Sequence, residues 1–286
     1  MILTLADYRQ YLPANTVTDA TRFASFERRA LQKYFPRYLG KELVALLAGD
    51  SLDEGHAQLV ARVVPALVNL TYLESVPFFN LVLTSTGFGV VSNQNVAPAS
   101  MDRVRDLKSA CLEAANEGIS QLLQFLEENP LEGWNFCSLC PGSLIPDTDA
   151  FNEATGLFIP RIHFVEVKPF LQLYERTTLV QAISGEFHAW LLEGGDDLVG
   201  PMVKKAMAFG AYDLYHRQPA VDGRGRPAVV NQMWQLVSQR YLSETLALLA
   251  KNLDLYPAYR DHGYEPSVDN AQRAGDSSFF IGGLTS

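Results

Sequence analysis

Residues 26–47 read FERRALQKYFPRYLGKELVALL, and residues 170–192 read FLQLYERTTLVQAISGEFHAWLL. Both stretches repeat apolar residues every three or four positions, the period of an amphipathic helix. With Gly40 set on Gly185, Leu46 falls on Leu191, Ala61 on Ala206 and Leu70 on Tyr215, all at an offset of 145. Each stretch leads into two further helical runs. In the first copy these are residues 56–73 and 103–129, and in the second they are residues 200–216 and 227–252. The last runs align at an offset of 123, pairing Ile119 with Leu242, Leu123 with Leu246 and Asn129 with Asn252. The difference, 22, is close to the length of a hairpin-like insert at residues 77–100 in the first copy. The expected fold is mainly α: two tandem related three-helix units, the first with an inserted β-hairpin, and an extended C-terminal tail. A helical unit repeated without catalytic residues points to assembly.

The domain expectation follows from the repeat. Residues 1–146 form the first unit, with the hairpin insert at about 77–100 and a Pro-rich linker from about 130. Residues 147–255 form the second unit and residues 256–286 the tail. Of the 286 residues, 48% are apolar and 19% charged, a globular and not a disordered composition. The net charge of −9 speaks against binding nucleic acid by phosphate neutralisation. No run reaches the ~20 apolar residues of a membrane span, so no membrane partner is expected. The opening residues carry Asp7 and no basic cluster, unlike a secretory signal. Three cysteines, Cys111, Cys137 and Cys140, fit a reducing compartment.

Local signals fill in the first unit. Thr18 or Asp19 can cap a first long helix from about residue 20 to 47, which Pro36 should break or kink. The second helix is expected over residues 54–73, with a kink at Pro65. The third carries the clearest stripe, Val104, Leu107, Cys111, Ala114, Ile119, Leu122 and Leu126, behind Ser100 as N-cap. Between them, residues 80–84 and 88–91 are β-rich and flank a Ser-Thr-Gly turn. Leu81 and Leu83 share one face of the first strand, and Phe88 and Val90 share one face of the second. Val82 and Val91 make the opposite faces apolar too. A lone hairpin is marginal in water, so this one must pack on its own helices or on a partner. The tail ends in an apolar FFIGGL hook that cannot fold alone.

Chemistry-bearing motifs are sparse. Cys137-Ser-Leu-Cys140 lacks the second pair of a structural zinc site, and Cys111 or His163 could complete it only if folding brings them close. His56, His163, His188, His216 and His262 show no HExxH spacing, and no GxSxG occurs. No catalytic, cofactor or metal residues are expected. Aromatic and aliphatic residues on hairpins and tails are the usual anchors of interfaces. The candidate partner-binding residues are Phe78, Phe79, Leu81, Leu83, Phe88, Val90, Phe279, Phe280 and Ile281.

Three stretches carry a resemblance. LTLADYRQYL at residues 3–12, the AxxxYFPRYLG pattern from Ala30, and VVPALVNLTYLES at residues 63–75 resemble helical head–tail connector (adaptor) proteins of tailed bacteriophages. Residues 144–185 are similar to an uncharacterised family of phages and prophages of gut bacteria, through Leu144, Ile145, Phe151, Asn152, Arg161, Phe164 and Glu175. Residues 81–85 with Gly87 and Phe88, then Asn95 and residues 97–100, share that likeness. The resemblance implies a virion protein made in the bacterial host cytoplasm, with no enzymatic activity. It implies a closed ring of about twelve copies below the portal, touching portal and tail proteins. DNA would pass through the lumen without sequence-specific binding, and an acidic wall keeps it from sticking. Two other readings stand beside it: a small intracellular zinc or thiol protein using Cys137 and Cys140, and a helical adaptor that binds a host protein.

Overall fold

The computed structural model describes residues 2–12, 19–49, 56–79, 81–84, 87–90, 100–195, 198–217 and 233–260, with backbone alone at 79, 81–84, 87–90 and 260. Its described residues are mainly helical. The chain divides into two compact units, Met1–Cys137 and Ser138–Ser286. The boundary therefore falls ahead of the expected one near Asp147. The Pro-rich stretch expected to link the units is folded, and its two ends belong to different cores.

In the first unit α1 (Leu5–Tyr11) starts at a capping box. Thr4 Oγ1 accepts from the Asp7 N–H at 3.3 Å, and Asp7 Oδ2 accepts from the Thr4 N–H at 2.7 Å. A 3₁₀ turn at Ala20–Phe23, capped by Asp19, leads into α2 (Ala24–Tyr34). Pro36 has no N–H to continue that ladder and instead opens α3 (Pro36–Leu39) at its first turn. Gly40, at φ 85°, turns the chain into α4 (Lys41–Ala48). The long helix expected over residues 20–47 is thus a chain of short ones.

The next helix, α5 (Ala57–Phe79), holds Pro65 and Pro77 within it and runs past the expected end near residue 73. Its Leu59, Val63, Ala66, Leu67 and Leu70 are buried. By length and composition α5 could cross a membrane, which the sequence reading did not anticipate. However, 61% of that window is buried inside the protein, and α5 packs on α1, α2 and the following long helix. Strands β1 (Leu81–Thr84) and β2 (Gly87–Val90) then pair antiparallel, with Leu81 opposite Val90 and Leu83 opposite Phe88. Helix α6 (Met101–Glu128) begins at Ser100, whose Oγ accepts from the Arg103 N–H at 3.4 Å. Residues 131–137 close the unit, where the Trp134 indole N–H donates to the Tyr38 carbonyl at 3.0 Å in buried surroundings.

In the second unit α7 (Thr148–Thr155) is capped by Asp147, whose Oδ1 accepts from the Ala150 N–H at 2.8 Å. Helix α8 (Arg161–Tyr174) passes through a π-helical turn at Glu175–Leu179 into α9 (Val180–Ile183). Then come α10 (Gly185–Leu192), α11 (Val199–Arg217) and α12 (Met233–Lys251). The core gathers Phe151, Phe164, Leu171, Leu179, Phe187, Met207 and Leu249. The extended tail expected from residue 256 starts instead with one helical turn, α13 (Pro257–Arg260). Tyr256 and Tyr259 are buried there, with ring centroids 5.9 Å and 5.6 Å from Phe187. The hook lies outside the described residues.

The two units share a burial pattern. Positions 27, 30, 31, 35, 39, 43 and 47 are buried, and so are positions 171, 174, 175, 179, 183, 187 and 191, each 144 residues on. Gly40 (φ 85°, ψ 167°) has its backbone counterpart at Ser184 (φ 73°, ψ 154°). This burial pattern thus recurs at 144, one residue short of the offset that sets Gly40 on Gly185. Ser184 holds this left-handed geometry with its own Oγ, which accepts from the Phe187 N–H at 3.3 Å. Helices α6 and α12 also end alike. The Asn129 and Asn252 side chains donate to the carbonyls of Phe125 (3.2 Å) and Leu248 (2.9 Å), four residues back. Asn129→Ala or Asn252→Ala should each lower stability by about 1 kcal/mol, the net worth of one such bond, read as an earlier urea midpoint at unchanged slope.

Candidate interaction surfaces

The hairpin leaves the first unit from the end of α5, and α2 grips that end. Glu74 Oε1 accepts from Lys33 Nζ at 2.6 Å and from the Tyr34 hydroxyl at 2.7 Å, with Arg29 at 3.9 Å from the other oxygen. Burial pushes the Glu74 carboxyl up, but the Lys33 and Tyr34 hydrogen bonds outweigh it and hold the group below its usual range. One turn later Phe78, 54% exposed, lies 5.3 Å from the Phe26 ring, with the Arg29 guanidinium 5.9 Å from its own centroid. Phe79 ends α5, and Leu81, Leu83, Phe88 and Val90 take the paired positions given above. Phe279, Phe280 and Ile281 lie outside the described residues. The structure thus places Leu81, Leu83, Phe88 and Val90 in one hairpin that follows Phe78 and Phe79 at the end of α5.

In the second unit α11 stops at Arg217, and a cavity of about 290 Å³ opens between α8, the π turn, α11 and α12. Leu173, Tyr174, Leu214 and Leu242 give it an apolar wall. Gly210 sits beneath the Tyr174 ring, where a Cβ would come within 2.2 Å of it. That ring lies flat on α11 because residue 210 has no side chain, and its hydroxyl pairs with Ser238 Oγ at 2.9 Å. The polar edge is an ion pair, Arg217 Nε to Asp213 Oδ2 at 2.6 Å, with the same guanidinium donating to Gln235 Oε1. Burial pushes the Asp213 carboxyl above its ordinary value, and the Arg217 charge offsets part of this. Sequence reading missed this site. Its signal was an acidic residue on an apolar helix with arginine four positions later.

Two further polar clusters lie inside the second unit. Glu175 Oε1, in the π turn, accepts from the Leu144 N–H at 3.1 Å and pairs with His188 Nε2 at 2.9 Å. This carboxylate pins the loop before α7 to α8, a structural use of a residue that carries part of the resemblance. His163 and His216 flank Tyr212, at ring distances of 5.8 Å and 4.4 Å. Burial lowers the pKa of both histidines; Glu166 pulls His163 back up, and Asp213 does the same for His216. A depressed folded-state pKa means the unfolded chain binds the proton more readily. The stability these groups contribute is present above their unfolded value, about 6.5, and is lost as pH falls towards the lower folded value. The melting temperature of the second unit should fall between about pH 7 and pH 5.5, and His163→Gln with His216→Gln should flatten that dependence.

Cys137 donates its thiol to the Tyr38 carbonyl at 3.2 Å, and Cys140 is buried against the Gln172 amide at 3.5 Å. Burial pushes the Cys111 thiol up. Among the described residues no three His, Cys, Asp or Glu side chains converge as a metal site.

Residues 30–141, from within α2 to just past the Cys137–Cys140 motif, match a family of unknown function, DUF6712. No curated protein and no solved structure matches the chain. The family match covers most of the first unit, including the hairpin.

Proposed function

We propose that this chain is a structural subunit of a tailed-phage connector: two duplicated helical units that assemble into a ring between portal and tail. The observation that carries the reading is the repeated burial pattern at an offset of 144, joined to a hairpin in the first copy. The hairpin supplies a projection whose register sets Leu81, Leu83, Phe88 and Val90 opposite one another in two pairs. A cyclic ring needs such unlike surfaces, because each copy offers one patch and receives another. The net charge of −9 suits a lumen through which DNA slides. Glu74, Glu175 and Asp213 are each tied to structural partners, as a scaffold requires. Electron microscopy and protein analysis of purified particles test the proposal. The chain should be present at the neck in ring stoichiometry, and its absence from purified particles would end the proposal.

A further inference from the structure

The cavity in the second unit is lined by residues whose counterparts in the first unit include an aromatic one. At the offset of 144, Tyr34 corresponds to Thr178, Lys33 to Thr177 and Leu73 to Arg217. In the first unit the Tyr34 hydroxyl donates to Glu74 on α5. In the second unit a small hydroxyl stands at that position, on the wall of the cavity. About 290 Å³ is at the small end of ligand pockets (roughly 300–1,000 Å³), room for one or two side chains but not for a large cofactor.

We propose that this cavity receives Phe279 and Phe280 from a neighbouring copy of the chain, an inference that rests on the ring reading. The missing group is aromatic. Residues 13–18, 50–55, 91–99 and 218–232 contain no aromatic residue, whereas residues 261–286 contain Tyr264, Phe279 and Phe280. Only the second and third of these stand in an apolar run, Phe279-Phe280-Ile281, followed by Gly282 and Gly283. That run matches the wall of Leu173, Leu214 and Leu242, and Leu173 is 48% exposed at the rim. The Arg217 guanidinium, already fixed by Asp213, offers its cation to a ring. The amide of Gln239 and the hydroxyl of Thr178 lie along the wall to meet the backbone of an extended segment. The 26 residues after Arg260 reach up to about 85 Å when extended, enough to span to an adjacent subunit. One chain carrying both an apolar projection and its receptor gives the unlike contact that closes a ring.

The test uses a labelled peptide of residues 274–286 and a chain ending at residue 275. The peptide should bind that chain saturably. Thr178→Tyr, which restores the ring of the first unit, and Leu173→Lys, an exposed change that spares the core, should each weaken binding at least tenfold. The shortened chain and full-length Thr178→Tyr should sediment as monomers apart and as a complex when mixed, since one supplies the receptor and the other the projection. No peptide binding, or binding unchanged in both variants, overturns the inference. If the full-length chain still forms rings in that case, the ring reading survives without it. Peptide binding with no complex on mixing shows that the cavity takes its own tail, which overturns docking between copies.

Discussion

A chain carrying Leu83→Asp and Phe88→Asp should stay folded and lose its ability to assemble. The two residues face each other across the hairpin, so one pair of changes puts like charges directly opposite on the projection. The helical core has contacts of its own: α5 packs on α6, and α2 grips α5 through Glu74. Anchors at the centre of an interface typically cost about 2 kcal/mol or more each on removal, roughly thirtyfold in affinity. Two such losses should move the assembly midpoint in sedimentation by about a hundredfold or more in concentration. Circular dichroism of the variant should match the parent. A variant that still assembles at the parent's concentration would show that the hairpin packs on its own unit.

Gly118→Ala should produce a large loss of stability for a single added methyl. A Cβ at residue 118 would lie 2.9 Å from the Ala66 nitrogen and 3.2 Å from its Cα. These are backbone atoms of α5, so no side chain can swing aside, and the two helices must separate where they pack most extensively. The expected cost is about 2–3 kcal/mol, a fall of several degrees in the melting temperature of the first unit. Gly185→Ala is the control. Nothing lies within 4 Å of its added methyl, and alanine favours the helix that begins there. It should be neutral or slightly stabilising.

The helices of both units were readable because their apolar residues keep the 3.6 period, and the stripe on α6 shows how far that goes: Cys111, Ile119, Leu122 and Leu126 are all buried. Pro36 gave the break in the first helix because proline cannot extend the ladder behind it. The register slipped by one residue because glycine invites alignment with glycine. The left-handed position of the second unit is filled by Ser184, which stabilises it through a side-chain bond that composition does not reveal. The π turn was hidden for a related reason, since one extra residue per turn leaves no compositional mark. Tyr256 and Tyr259 follow the last periodic helix and read as tail, although they bury against Phe187. The cavity was the least legible feature. Its wall includes Thr178, which the offset of 144 pairs with Tyr34 and the offset of 145 does not.

The most direct test of the central claim is mass photometry with negative-stain imaging of the purified full-length chain at micromolar concentration. Closed rings of one size, lost together in the Leu83→Asp, Phe88→Asp variant, are the predicted result. A population that stays monomeric at those concentrations, alone and with portal protein added, would contradict the account.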